Sequence, residues 1–252
     1  MHQHVHDVHH FEMGAWLMWL AYIVSVIGSF VGLAAARRSV DARSEGQRQG
    51  WLAMSAVAIG GVGIWLMHFI AMLGFAVPGV PLRYDMTWTA GSAVLAIVAV
   101  YVGLNVVGKS VVPARLVAGG LITGLAVNAM HYAGMSAIRF QGEIHYDTAL
   151  VLLSILIAVV AAIVALLFTL ILESPVLRLL GGIIMGIAVV GMHYTGMAAV
   201  SVTVDQTFPS PDGVEVFSFL FPVFVMGLLG LAVPITVLLI SDPDEPASVV
   251  VR

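Results

Sequence analysis

Cysteine is absent from the 252 residues, which excludes disulfides, thiolate metal ligands and iron–sulfur clusters. Charge is nearly as scarce. Only 10% of residues are Asp, Glu, Lys or Arg, against about 25% in soluble domains, too few to cover a water-facing surface. No charged residue lies deep within an apolar run, which argues against a proton relay of the kind pumps use. A net charge of −4 without a basic or aromatic stripe gives no footing for nucleic acid. No nucleophile–base pair, phosphate loop or catalytic carboxylate pair is evident, so the chain does not read as an enzyme.

What remains is apolar: 60% of residues are hydrophobic and the mean hydropathy is +1.04. Seven runs reach the roughly 20 residues needed to cross the hydrocarbon core. They lie near 14–36, 51–75, 88–107, 113–138, 148–172, 176–202 and 216–240. The stretch before the first run has no basic residue and no small-residue cleavage site, so that run reads as a span and not a cleaved signal peptide. The expectation is an all-α protein of the lipid bilayer. Arg37, Arg38, Arg43, Arg48, Lys109, Arg115, Arg178 and Arg252 fall on one side, and only Arg83 and Arg139 on the other. The positive-inside bias then places the C-terminus in the cytoplasm and the N-terminus outside, in the inner (plasma) membrane.

Three copies of one pattern recur: Met67-His68-Phe69-Ile70-Ala71-Met72, Met130-His131-Tyr132-Ala133-Gly134-Met135 and Met192-His193-Tyr194-Thr195-Gly196-Met197. The histidines are 63 and 62 residues apart, each near the end of an apolar, glycine-rich run. The repeat is wider than the motif. Gly61, Gly124 and Gly186 each lie six residues before the motif methionine. Tyr84-Asp85 and Tyr146-Asp147 are followed by Ser92 and Ser154 at the same offset, and Phe11-Glu12 reads as a degenerate copy. The unit is therefore an outer aromatic–acidic pair, an inward helix, a cytoplasmic turn and an outward helix ending in Met-His. Helices one–two, three–four and five–six make three such units, with a seventh helix left over. Two spans per unit give all three the same orientation, a seven-helix bundle of three parallel two-helix repeats. A pseudo-threefold arrangement would bring His68, His131 and His193 together at one depth near the outer face. The glycine pairs Gly120/Gly124 and Gly182/Gly186 suit close helix packing in lipid.

A histidine within a span reads by default as functional, although a single buried Met-His pair is equally a packing feature. Residues four apart share a helix face, so His68 with Met72, His131 with Met135 and His193 with Met197 each offer an imidazole beside a thioether. Met67, Met130 and Met192 line the neighbouring face. Imidazole with thioether, and no thiolate, favours copper over zinc or iron. Asp85 and Asp147 sit where a carboxylate could support a ligating ring, or they cap helix N-termini. Asn128 either holds the ring of His131 or bonds between helices. The N-terminal tract holding His2, His4, His6, His9 and His10 is either a metal-binding tail or a solvated, disordered one. A copper sensor, a copper carrier or transporter, and a haem-binding redox protein all remain open from the residues alone.

These motifs resemble the MHYT family of bacterial membrane sensor domains, over about residues 14 to 203. The resemblance implies an integral membrane sensor that binds copper through Met67, His68, Met72, Met130, His131, Met135, Met192, His193 and Met197. It also implies a response to a diatomic gas such as oxygen, carbon monoxide or nitric oxide. Phe69 and Ala71 depart from the tyrosine and glycine of the family pattern. The expected organisation is an extracytoplasmic His-rich tail at 1–13, the MHYT domain at 14–203, and an outer loop, seventh helix and short cytoplasmic tail at 204–252. Many family members continue into cyclic-di-GMP enzyme or kinase domains, whereas only about a dozen residues follow the last span here. A standalone sensor of this kind would signal to a separate, unidentified cytoplasmic protein.

Overall fold

A computed structural model describes residues 5–6, 8–205 and 207–241. The expected tail histidines His2 and His4, and the expected cytoplasmic tail with Arg252, lie outside the described residues. Among the described residues, seven helices are long and apolar enough to cross a membrane. They are α1 (Trp16–Val40), α2 (Glu45–Met72), α3 (Met86–Val107), α4 (Pro113–Ser136), α5 (Thr148–Ile171), α6 (Pro175–Ala198) and α7 (Val216–Ile240). The protein is a multi-pass membrane protein of the all-α class.

Helix starts follow local chemistry. The side chains of Ser44, Asp85, Asp147 and Ser174 accept from backbone N–H groups of the first turns of α2, α3, α5 and α6, satisfying donors that a helix leaves open. Pro113 and Pro175 occupy first positions, where a missing N–H costs nothing. Within α2 the stretch Val57–Leu66, rich in glycine, is wound as a wider π-helix. Its Gly60 lies so close to α3 that an added methyl carbon would stand 2.6 Å from the carbonyl oxygen of Ala96.

The first six helices close a ring. Each packs on the next, and α6 packs on α1, while α7 lies outside against α1 and α2. Short connections join α1–α2, α3–α4 and α5–α6 at the arginine-rich end. Long ones join α2–α3, α4–α5 and α6–α7 at the end holding the motifs. Large apolar side chains such as Leu152, Leu156, Ile187 and Leu239 stand exposed around the rim. Such a surface is stable only in lipid.

The structure differs from the hydropathy reading at both ends. Helices α1 and α2 extend into the charged turn, to Val40 and from Glu45, because a helix does not stop where the hydrocarbon does. At the motif end α2, α4 and α6 stop at Met72, Ser136 and Ala198, before the apolar runs finish. The remaining residues form short strands: β1 (Val5–His6), β2 (Arg83–Tyr84), β3 (Ile138–Arg139), β4 (Gly142–Tyr146) and β5 (Val200–Val204). Strand β5 pairs antiparallel with both β1 and β4, and β2 pairs with β3.

This end repeats with threefold regularity. The backbone N–H of Asp85 donates to the carbonyl of Ala137, and that of Asp147 to Ala199, both at 2.8 Å. Glu12 donates in the same way to Gly74 at 3.0 Å. All three acceptors lie seven residues after a motif methionine, so Phe11-Glu12 is the first copy of the aromatic–acidic pair in structure as in sequence. The histidine-rich segment is accordingly folded from Val8 to Gly14. His9 exchanges two backbone hydrogen bonds with Ala76, each 2.9 Å.

Candidate metal centre

Helices α2, α4 and α6 each end in a motif, and the ring brings their histidines to one point. His68, His131 and His193 are 4%, 0% and 1% exposed. Their ring centroids stand 5.0, 5.0 and 5.2 Å apart, with ring planes tilted 76° to 85° to each other. The Nδ1 atoms point inward: that of His68 lies 3.0 Å from His193 and 3.3 Å from His131.

Neutral imidazoles cannot satisfy this arrangement by themselves. A ring nitrogen either carries a proton to donate or a lone pair to accept. The Nδ1 of His68 therefore makes at most one good hydrogen bond with its two neighbours, leaving another nitrogen at short range without a complement. A cation accepting a lone pair from each ring removes the conflict. Two nitrogens bound to one ion at about 2.0–2.1 Å in tetrahedral geometry lie roughly 3.3 Å apart, close to the separations seen. The three rings form a group able to hold a metal ion.

Neighbouring units fix the rings. A methyl group added to Gly134 would collide with Nε2 of His68, and one added to Gly196 would lie 2.5 Å from Nε2 of His131. Each of these motif glycines is thus the socket for the imidazole of the preceding unit, which is why a side chain is missing there. The Nε2 of His131 is buried with no hydrogen-bond partner. The third motif residue works the same way round the ring. Phe69 packs against Tyr84, Tyr132 against Tyr146 and Tyr194 against Phe11, at 6.4, 5.3 and 5.4 Å between centroids. Each pair joins one unit to the next, and the N-terminal segment supplies the closing member.

All six motif methionines are at most 3% exposed. Met67, Met72, Met135 and Met197 belong to the apolar cluster at the motif end. Met130 and Met192 belong to the cluster deeper in the bundle. The three residues considered as support for the rings bond elsewhere. Asp85 accepts from the N–H groups of Thr87 and Trp88 and from Arg139, the last at 3.0 Å. The Arg139 guanidinium and then these backbone donors hold its carboxyl below the usual range. Asp147 accepts from the N–H of Leu150. Asn128 donates to Ser154 on α5, matching the bond from Trp65 to Ser92 one unit earlier.

Sequence reasoning missed two things here: the glycine sockets and the proximity of the N-terminal segment. The spacing of the glycines in the second and third motifs was visible, but which ring they face depends on the ring order of helices. His10 sits behind Phe75, with centroids 6.1 Å apart, and its Nδ1 is buried without a partner. Burial, with His9 beside it, lowers its affinity for a proton.

The chain matches the MHYT family model, described as a bacterial signalling protein N-terminal repeat, three times, over residues 61–120, 124–182 and 186–241. The matched segments begin at the glycines six residues before each motif methionine and run through the motif-end loop and the whole of the next helix. The chain is similar to the bifunctional diguanylate cyclase/cyclic di-GMP phosphodiesterase MucR of Pseudomonas aeruginosa, at 39% identity over 73% of this chain and 27% of that protein. It is also similar to the cyclic di-GMP phosphodiesterase NbdA of the same organism, at 32% identity over 77% and 25%. The signaling protein YkoW of Bacillus subtilis matches at 30% identity over 86% and 27%. The chain spans about a quarter of the length of these curated relatives. No solved structure matches it.

Proposed function

The chain belongs to the MHYT family of bacterial signalling proteins, and on that premise we propose that it is the input of a signalling system whose sensing element is copper held by His68, His131 and His193. The observation that carries this reading is the convergence of three buried Nδ1 atoms at 3.0 and 3.3 Å. The motif methionines favour copper among the metals that accept imidazole. Bound copper would supply a soft Lewis acid with two accessible oxidation states, open to a diatomic gas or to a redox change. The protein's own part is to exclude water from the rings, to fix their planes through Gly134 and Gly196, and to couple each motif to the next through its aromatic contact. A signal requires the ligand to favour one arrangement over another, and these contacts between units are where two arrangements would differ.

The proposed orientation puts the centre near the outer face and the arginine-rich turns in the cytoplasm. The relatives' printed names attach cyclic-di-GMP chemistry to those proteins. We place the same kind of output downstream of this membrane region, on the cytoplasmic side. A haem reading fits less well. A porphyrin needs its axial nitrogens on opposite faces with the macrocycle between them, and the three Nδ1 atoms converge at hydrogen-bonding distance instead.

Metal analysis of detergent-purified protein tests the proposal. Stoichiometric copper is expected in the wild type and background copper in a folded His68→Ala/His131→Ala/His193→Ala variant. Equal copper in both removes the proposal, and a Soret band in the wild type replaces copper with haem.

A further inference from the structure

Beneath the three histidines, toward the arginine-rich end, the helix ring is not filled. A cavity of about 50 Å³ is lined by residues of all five helices from α2 to α6, and Met192, the neighbour of His193, forms part of its wall. Its space comes from α5, which presents Ala158, Ala161, Ala162 and Ala165 where larger residues would close the axis. The wall carries two hydroxyls, and both are spent. Thr123 donates to the carbonyl of Ala99 and Thr169 to that of Leu166. A water molecule needs two to four polar partners to occupy a cavity, and apolar cavities of this kind stay dry. A charged or hydrogen-bonding solute would lose its hydration without replacement. The volume excludes a lipid chain but admits a molecule of a few atoms.

The cavity also has a side. A second, lipid-facing cleft runs between α5 and α6, lined by Leu156, Val160 and Ile184, which are 59%, 53% and 49% exposed. It shares Ala161, Met185 and Ala188 with the axial cavity. Those three residues, two alanines and a flexible methionine, are the wall common to the two spaces.

We propose that the axial cavity is a binding site for a small, uncharged, apolar molecule of diatomic-gas size, which enters sideways from the bilayer between α5 and α6. Small apolar molecules dissolve better in hydrocarbon than in water, so the membrane concentrates them at this opening. The cleft delivers them to Met192 without passing the polar motif end. The link from this site to signalling rests on the copper reading above; the site itself rests on the cavity and its wall.

Xenon is the probe, applied to metal-free protein in lipid nanodiscs and read by xenon NMR. One saturable site is expected in the wild type. Ala162→Phe, which fills the cavity, abolishes it. Ala162→Val, a smaller filling that preserves the fold more readily, lowers occupancy. Ala188→Leu, on the common wall, slows exchange several-fold while the arginine-rich and motif ends stay unchanged by circular dichroism and thermal melting. Xenon uptake that never saturates, or that survives Ala162→Phe in a folded protein, overturns the proposal. So does relief of the site by a water-soluble relaxation agent before a lipid-soluble one. Copper analysis of the same variants, purified without removal of metal, separates the two readings. A xenon site without copper sinks only the metal centre, and copper without a xenon site sinks only this one.

Discussion

The motif glycines show how much one missing side chain decides. Gly134 has no Cβ because the edge of His68 occupies that space, and the ring cannot retreat without leaving the inward Nδ1 cluster. Gly134→Ala is expected to destabilise the protein by about 1–3 kcal/mol, the usual range for overpacking, and to weaken the proposed copper binding while every donor atom remains. Gly191→Ala, on the same helix as Gly196 but with nothing within 4 Å of its added methyl, is the control and should leave stability unchanged or raise it by up to about 1 kcal/mol. Thermal melts and a copper titration of the two variants decide the matter. If both retain wild-type copper affinity, Gly134 is not a socket in any functional sense. The first motif carries Ala71 at the corresponding position. The three units therefore do not hold their rings identically, and whatever threefold symmetry the backbone has, the centre lacks.

Among the elements, the spans, their pairing into units and the Phe11-Glu12 copy were legible in the sequence, because lipid imposes length and composition and because the repeats preserve offsets. The strands at the motif end were not. Val200-Ser201-Val202-Thr203-Val204 alternates with period two, a strand signal, yet it follows an apolar helix without a break and hydropathy absorbs it. The caps were half legible: Asp85 and Asp147 offered two roles, and the backbone donors of the first turn took them. The segment Val8–Gly14 reads as a polar tail because its partners, Gly74, Ala76 and Tyr194, are remote in sequence. His10 gives that segment a pH dependence. Its folded-state proton affinity is lowered from the ordinary 6.5 by burial and by His9, while His9 itself pairs with Glu12 at 2.6 Å and His193 faces it from α6. The undocked segment therefore binds more protons. Docking is fully stable above 6.5 and weakens as pH falls through that value toward the lowered one. The absence of cysteine permits a single nitroxide at Met13→Cys. Its mobility should rise from about pH 7.5 to about pH 5.5, across the histidine range, and His10→Phe should flatten the response. A response that persists in that variant assigns the effect to another group.

For the whole molecule, the described arginines divide cleanly: those at residues 37, 38, 43, 48, 115 and 178 gather at one end and Arg83 and Arg139 at the other. Several are tied to that end by contacts, such as Arg38 with the carbonyl of Ser241 and Arg37 with Asp41 and Glu173. The proposed orientation is open to a direct test in intact cells. Single cysteines at His145, beside the motifs, and at Arg43, in the opposite turn, should differ in reaction with a membrane-impermeant thiol reagent. Labelling is expected at position 145 and not at 43, and the reverse pattern would turn the molecule over.

The contact of Phe11 with Tyr194 carries a consequence for biogenesis. During synthesis, Phe11 leaves the ribosome before any span has formed, while its partner arrives only with the sixth helix. A segment made ahead of the first span thus finds its partner only after the sixth span has been made. Long-range closures of this kind are slow and vulnerable to interruption. Until that moment the nascent protein is an open arc with two histidine-bearing units and an unpaired aromatic edge. The histidine cluster therefore cannot close until the third unit has been made, and a bulky insertion ahead of Val8 would act on assembly before it acted on the cluster.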